Sequence, residues 1–95
     1  MMDVSKLNGV KVITADSYTL GEVEGVNVDT RNWRVTHTKI GLTDDATREL
    51  GYSKPLLGSV KICLPVDFVS GYGDVVTLKK SLLELKGTDE CKVKR

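Results

Sequence analysis

Alternating apolar and polar positions run through most of the chain and predict a β-protein. In residues 59–65, Val60, Ile62 and Leu64 share one parity, which is the pattern of a strand with one buried face. Val76 and Leu78 repeat the pattern near the C-terminus and are also predicted to point inward. Turn-forming residues separate the apolar stretches. Strands are predicted over residues 9–14, 20–29, 33–42, 59–65 and 75–80.

The strand over residues 20–29 changes face partway along. Val23 has odd parity, whereas Val26 and Val28 have even parity. A strand keeps one apolar face only while parity holds. The slip falls at Glu24 and Gly25, so we predict a β-bulge or a bend there, where glycine is favoured.

The next strand also changes face, after a hairpin turn predicted over residues 29–32. Trp33 and Val35 share one parity, and Ile40 and Leu42 share the other. Long strands that switch faces are expected in small coiled barrels, where one strand contributes to two sides of the core. Trp33 is therefore predicted to be a core residue.

One helix is predicted over residues 43–51. Thr43 or Asp44 can cap its start, and the acidic side chains of Asp44 and Asp45 suit the positive N-terminal end of a helix. Gly51 suits its stop, because glycine adopts the left-handed conformation that ends many helices.

A second short helix is predicted over residues 81–87, because Ser81 and Glu84 have the spacing of a capping box. The chain of 95 residues is the length of one domain. We expect that domain to occupy residues 1–87. The polar residues 88–95 are predicted to form a flexible C-terminal tail.

Charge and composition narrow the class of partner. The chain holds 14 basic and 13 acidic residues, which leaves a net charge of +1. This balance argues against a strongly electrostatic partner such as bare DNA, which requires a basic face or stripe. Aromatic residues make up only 5% and are scattered, so the sequence gives a weak signal for stacking on RNA. A nucleic-acid partner is disfavoured but stays open as an alternative.

The cysteine spacing and the lengths of the apolar runs indicate the cellular compartment of the protein. Cys63 and Cys91 are too few for a disulfide framework and lack CxxC spacing. The N-terminal residues have no apolar signal segment, and no apolar run approaches the roughly 20 residues of a membrane helix. We therefore expect a cytoplasmic protein with free thiols and no membrane span.

No constellation of catalytic or metal-binding residues is evident. His37 is the only histidine, and no serine lies in a glycine elbow. Glu22 and Glu24 share one strand face, which is more typical of a solvated face paired with basic residues on a neighbouring strand than of acid–base catalysis. We therefore predict a protein that is not an enzyme and has no catalytic, cofactor-binding or metal-binding residues.

The glycine-rich stretch over residues 70–80 has only part of a phosphate loop. Gly73 is followed by Asp74, which would repel phosphate, and Val76 stands where the dinucleotide motif has its third glycine. The β-branched residues that follow predict a strand, whereas a phosphate loop is followed by a helix. The glycines are therefore predicted to form a turn, with Tyr72 as a candidate contact residue at its tip.

The order and spacing of several short motifs resemble the PRC-barrel domain family. In the second half, a strand ending in Leu64 and Pro65, a Val-Asp-Phe-Val connector and a Gly-Asp-Val-Val-x-Leu strand resemble the family's closing elements. The resemblance covers about residues 5–85, and the insert over residues 43–60 resembles the archaeal single-domain branch. The matching positions of the first half are Leu7, Gly9, Val12, Leu20, Gly21, Val23 and Trp33.

This resemblance implies a small β-barrel of five or six strands with one short helical insert and a short C-terminal helix. The family is known for scaffolding and contact rather than catalysis. Stand-alone archaeal members resemble components of the tubulin-based cell-division machinery that act as dimers or heterodimers. Other relatives include a ribosome maturation factor. The resemblance thus implies a protein-interaction module whose partner is itself or a related barrel protein. An RNA- or ribosome-associated accessory factor is the alternative.

The C-terminal apolar segment is the candidate interface. One helical turn cannot bury Leu82, Leu83 and Leu85 on a single face, since successive residues are about 100° apart. We expect part of this surface to pack on the barrel and part to meet a second subunit. For the RNA-associated alternative, a weak basic edge is predicted from Lys79, Lys80, Lys92, Lys94 and Arg95.

Overall fold

The computed structural model describes residues 7–53 and 58–86 and contains one six-stranded sheet. This confirms the predicted all-β class, because strand predominates over helix among the described residues and their one α-helix, α1 (Asp44–Glu49), has six residues; short 3-10 turns lie at Val66–Phe68 and Leu83–Leu85. The strands are β1 (Lys11–Ile13), β2 (Thr19–Asp29), β3 (Arg34–Leu42), β4 (Lys61–Pro65), β5 (Val69–Gly71) and β6 (Val75–Leu78).

The strand order constrains the shape of the sheet. The order is β4-β3-β2-β1-β6-β5, and every neighbouring pair is antiparallel except β1 and β6. The two edge strands, β4 and β5, are joined by the three residues Val66–Phe68. Such a link spans at most about 14 Å, whereas the edges of a flat six-stranded sheet lie about 24 Å apart. The sheet is therefore strongly curled.

The long β2–β3 hairpin is irregular where the sequence predicts it. The strand register shifts between Val23 and Gly25, which confirms the predicted bulge, and shifts again between Asn27 and Val28. No residue from Glu24 to His37 is buried. The distal half of the hairpin therefore extends beyond the core.

The concave face of the curled sheet holds the core. The inward positions predicted on β4 and β6 are confirmed, since each is at most 5% exposed. α1 closes one side of the core with Ala46 and Leu50. The buried apolar residues are Leu7, Val12, Leu20, Val23, Ile40, Leu42, Ala46, Leu50, Val60, Ile62, Leu64, Val76, Leu78 and Leu85.

The predicted signals at both ends of α1 are confirmed. The Thr43 hydroxyl accepts a hydrogen bond from the amide of Ala46 at 3.0 Å, so Thr43 rather than Asp44 is the N-cap. Gly51 follows the C-cap Leu50 and has a φ of +85°, a conformation in which a side chain would be strained.

Two glycines allow the central strands to approach closely. A Cβ atom at Gly21 would overlap the carbonyl oxygen of Gly41 on the neighbouring strand and lie 3.0 Å from the Cα of Leu42. A Cβ atom at Gly41 would instead overlap the carboxylate of Glu24, which crosses over it to pair with Lys61. The first obstacle is main chain, whereas the second is the end of a flexible side chain.

We expect Gly21→Ala to lower the free energy of unfolding by about 2–3 kcal/mol, because the backbone of β3 must shift. Gly41→Ala should cost about 1 kcal/mol or less, because displacing Glu24 removes only a surface ion pair. Urea denaturation of the two variants measures both values.

Gly71→Ala provides the control for the added methyl group, since nothing lies within 4 Å of its Cβ position. Equal losses in Gly21→Ala and Gly41→Ala would contradict the proposed role of the close β2–β3 approach.

Candidate functional site

The structure separates the three candidate leucines of the C-terminal segment. Leu85 is fully buried in the core, Leu82 is half-buried against it, and Leu83 is 72% exposed. Leu85 is thus inaccessible to a partner of the folded chain. Of the three, Leu83 presents the largest exposed apolar surface.

Hydrogen bonds fix the turn that carries Leu83. The predicted capping box is confirmed, because the Ser81 amide donates to Glu84 Oε1 at 3.0 Å and the Glu84 amide donates to Ser81 Oγ at 3.3 Å. The bond from the Ser81 amide lowers the pKa of Glu84 below its usual value. The predicted helix is a 3-10 turn over Leu83–Leu85, and Gly87, its predicted end, lies outside the described residues.

The β1–β2 turn holds this segment from the other side. The Leu82 amide donates to Asp16 Oδ1 at 3.3 Å, and the Ala15 amide donates to the carbonyl of Lys80 at 2.8 Å. Thr14 Oγ1 also donates to Asp16, and this bond is the main cause that lowers the pKa of the carboxyl. An ionised Asp16 thus links the β1–β2 turn to the residues before Leu83.

Tyr72 lies in the connection between β5 and β6. Its ring is half-buried and packs against the core, and its hydroxyl lies 3.2 Å from the hydroxyl of buried Thr38. Its role as a contact residue stays a prediction.

Trp33 corrects the sequence interpretation. It is 77% exposed, not a core residue, and it precedes β3 at the end of the hairpin loop. Its φ of +57° places it in the left-handed region. For a residue other than glycine, asparagine or aspartate, this conformation costs about 1–2 kcal/mol. The parity argument failed because Trp33 lies outside the ladder, so strand alternation does not apply to it.

Two arginines flank Trp33 at the hairpin tip, which we define as residues 29–34. The side chain of Arg31 is 91% exposed, and its Nε lies 3.5 Å from Asp29 Oδ1. Arg34 is exposed, and no described carboxylate lies within ion-pair distance of it. The tip therefore combines one exposed indole with two accessible guanidinium groups.

Side-chain oxygens hold the main chain of the tip. Asp29 Oδ1 accepts from the Arg31 amide at 2.9 Å, and Asn32 Oδ1 accepts from the Arg34 amide at 3.2 Å. Asx bonds of this type stabilise turns. The positions of the two arginines along the loop are thus fixed before anything binds.

The glutamate face of β2 forms a pocket of about 440 Å³, which also includes Gly21 and Gly41. Glu24 pairs with Lys61, which confirms the predicted solvated face for this residue. Glu22 lies opposite Lys11 in the register of β1 and β2. Glu22 thus faces a lysine on the adjacent strand β1, whereas Glu24 reaches across β3 to a lysine on β4.

Two members of the basic edge predicted near the C-terminus, Lys79 and Lys80, lie within the described residues. Lys80 Nζ lies 5.5 Å from the centroid of the Phe68 ring, which is cation–π distance. Lys79 is exposed. The remaining predicted members, residues 92–95, lie outside the described residues.

The expectation of free thiols is wrong for Cys63, which is disulfide-bonded. Spacing along the chain led to that expectation, and spacing alone does not show which cysteines meet in space. Cys63 is half-buried on β4, where Asn27 Nδ2 lies 3.9 Å from its sulfur. Cys91 lies outside the described residues.

Residues 7–53 and 58–86 contain no group of three His, Cys, Asp or Glu side chains that could hold a metal ion. His37 Nδ1 lies 3.0 Å from the hydroxyl of Thr36. No helix in the same part of the chain has the length and apolar character needed to cross a membrane.

Comparison with protein-family models gives no match for the chain, and comparison with curated proteins gives none either.

We expect Trp33→Asn to raise the free energy of unfolding by up to about 1 kcal/mol, because asparagine tolerates positive φ and the exposed indole buries little apolar area. Urea denaturation checks the sign. Trp33→Ala is the matched control, because it removes the indole but keeps the Cβ atom and therefore the backbone cost. A stability loss in Trp33→Asn that exceeds the loss in Trp33→Ala would contradict this account of the tip.

Proposed function

We propose that this protein is a non-catalytic protein-interaction module of the PRC-barrel type. The resemblance in motif order supports the family, and the curled sheet supports a barrel, because a link of three residues brings its two edge strands near each other. A cytoplasmic location stays a prediction, and the disulfide at Cys63 is uncommon in that compartment. Its proposed partner is a second copy or a related barrel protein.

The observation that carries this proposal is the exposed Leu83. It lies on a turn fixed by the capping box and by Asp16, so binding would not have to order the segment. A leucine exposed on an ordered turn is well suited to an interface, since its burial contributes about 1.5–3 kcal/mol to the free energy of association. The half-buried Leu82, which precedes Leu83 in the chain, would extend the contact.

The resemblance to stand-alone archaeal members supports a narrower proposal. We propose that the module serves the tubulin-like cell-division machinery as an accessory that links proteins rather than transforming a substrate. This role requires a stable barrel and an accessible apolar contact, and Leu83 supplies the latter.

We expect the native protein to have the mass of a dimer in light scattering and Leu83→Glu to have the mass of a monomer. A buried glutamate in the interface would lose its hydration without a partner. Because Leu83 is mostly solvated in the single chain, its replacement should leave the urea midpoint of the monomer nearly unchanged.

Asn8→Glu is the control, since it adds the same charge at an exposed position outside the segment. An unchanged dimer mass in Leu83→Glu would remove this residue from the interface. A monomeric native protein would refute the homodimer itself.

A second candidate function is an RNA- or ribosome-associated accessory factor. The observation that favours it is the exposed Trp33 between Arg31 and Arg34, because aromatic surfaces beside cationic side chains are typical of single-strand binding. The sequence alone disfavoured this role because the charges are balanced, the aromatic residues are scattered and Trp33 was expected in the core. Two cationic groups suit weak binding, so we expect a Kd on the order of 10–100 μM at low salt.

This candidate predicts that a fluorescein-labelled single-stranded RNA of mixed sequence binds with a modest salt dependence. Contact with one or two phosphates gives a slope of about −0.7 to −1.4 for log K against log salt. Fluorescence anisotropy at increasing salt measures it. An anisotropy that does not rise at the lowest salt would exclude the RNA-associated role.

A further inference from the structure

We propose that the hairpin tip is a single-strand RNA-binding finger, in which Trp33 stacks on an unpaired base while Arg31 and Arg34 contact the adjoining phosphates. This inference rests on the second candidate function and assigns its site. It differs from the basic edge predicted near the C-terminus, which involves Lys79 and Lys80.

The conformation of Trp33 is the first observation. The residue occupies a left-handed position that asparagine or glycine would fill without strain, and it leaves 77% of its surface in water. An indole at this position neither relieves the backbone strain nor adds buried apolar area to the core. A strained, exposed residue is more readily explained by contact with a ligand than by folding.

The arrangement of charge is the second observation. Asp29 offsets Arg31 in part at 3.5 Å, while Arg34 has no carboxylate partner in the described structure. A phosphodiester can replace the weak pairing of Arg31 and supply the missing partner of Arg34, since guanidinium groups bind phosphate oxygens through two parallel hydrogen bonds. The chemistry of the tip thus matches an anionic ligand that also has a flat aromatic group.

The exposure of the tip favours an unpaired nucleobase over double-stranded RNA or a membrane surface as the ligand. No residue from Glu24 to His37 is in the buried class, and the tip lies in the middle of this segment. The exposed indole can stack on an unpaired base, whereas the base faces of double-stranded RNA lie inside the helix. A membrane would gain little from a single indole surrounded by Thr30, Asn32 and two arginines.

The main chain of the tip is ordered before binding. The Arg31 and Arg34 amides are already bonded to side chains of the loop, so a ligand would not have to order the backbone. Every base has a face on which an indole can stack, and phosphate contacts do not depend on the base sequence. The hairpin tip should therefore bind RNA with little sequence preference.

Trp33 is the only tryptophan of the chain, so its fluorescence reports on the proposed site alone. We expect ten-nucleotide oligouridylate and oligoadenylate to quench this emission and to bind in the same concentration range as the labelled RNA. Anisotropy should show binding weakened about tenfold or more in Trp33→Ala and largely retained in Trp33→Phe, which keeps a stacking ring.

Arg31→Gln combined with Arg34→Gln should flatten the salt slope by about 1.4, as expected for the loss of two phosphate contacts. The matched control is Lys79→Gln combined with Lys80→Gln, which removes two charges elsewhere and should leave quenching unchanged. Circular dichroism of each variant verifies that its fold is intact.

Each of the following outcomes would contradict the proposal that the hairpin tip binds single-stranded RNA. RNA binding that persists undiminished in Trp33→Ala, or that is lost only in the lysine control, would leave the RNA-associated role standing but place its site elsewhere. An absence of RNA binding by the native protein would reject both the RNA-associated function and the proposed site at the hairpin tip. A blue shift of Trp33 emission on raising protein concentration without RNA would identify the tip as a contact between copies. A blue shift with phosphatidylglycerol vesicles and no quenching by RNA would identify it as a membrane contact.

Discussion

The structure depends on one geometric constraint, which is the short connection between the two edges of its sheet. Because β4 and β5 are joined by only Val66–Phe68, the six strands must curl until their edges are near each other. Within this sheet the backbones of β2 and β3 approach closely at Gly21, where a Cβ atom would overlap the carbonyl oxygen of Gly41. The same curl provides the concave face on which the core is built. A side chain at Gly21 would therefore oppose the feature that encloses every buried strand residue.

A sheet that curls around so small a core leaves parts of its own elements outside it. The distal half of the β2–β3 hairpin has no buried residue, and Leu83 lies on a turn whose neighbour Leu85 fills the core. In both places the main chain is held by hydrogen bonds while a large apolar side chain remains in water. Rigid support with an exposed apolar group reduces the entropic cost of binding. Among the described residues, these two surfaces therefore combine exposure with an ordered main chain.

The sequence predicted the features that follow from local physics. The parity slip at Gly25 indicated the bulge, and the spacing of Ser81 and Glu84 indicated the capping box, because each depends on residues close together in the chain. Trp33 was misplaced because parity has meaning only within a ladder, and the loop extends one residue further than its composition suggested. The sequence also could not predict that Leu83, rather than Leu82 or Leu85, is the exposed leucine. It depends on how the turn docks through Asp16, which is 66 residues from Leu82.

The two proposed contacts make different demands on the chain. At Leu83, exposure is a by-product of burying Leu85 in the same turn, so the position is compatible with folding whether or not a partner exists. At Trp33 the positive φ costs conformational free energy, and the exposed indole makes few packing contacts that could offset it. Folding alone therefore gives no reason for a tryptophan at this position. Tryptophan at position 33 is for this reason harder to explain by folding than leucine at position 83. Because the two surfaces belong to different elements of the fold, contact at one does not require the residues of the other.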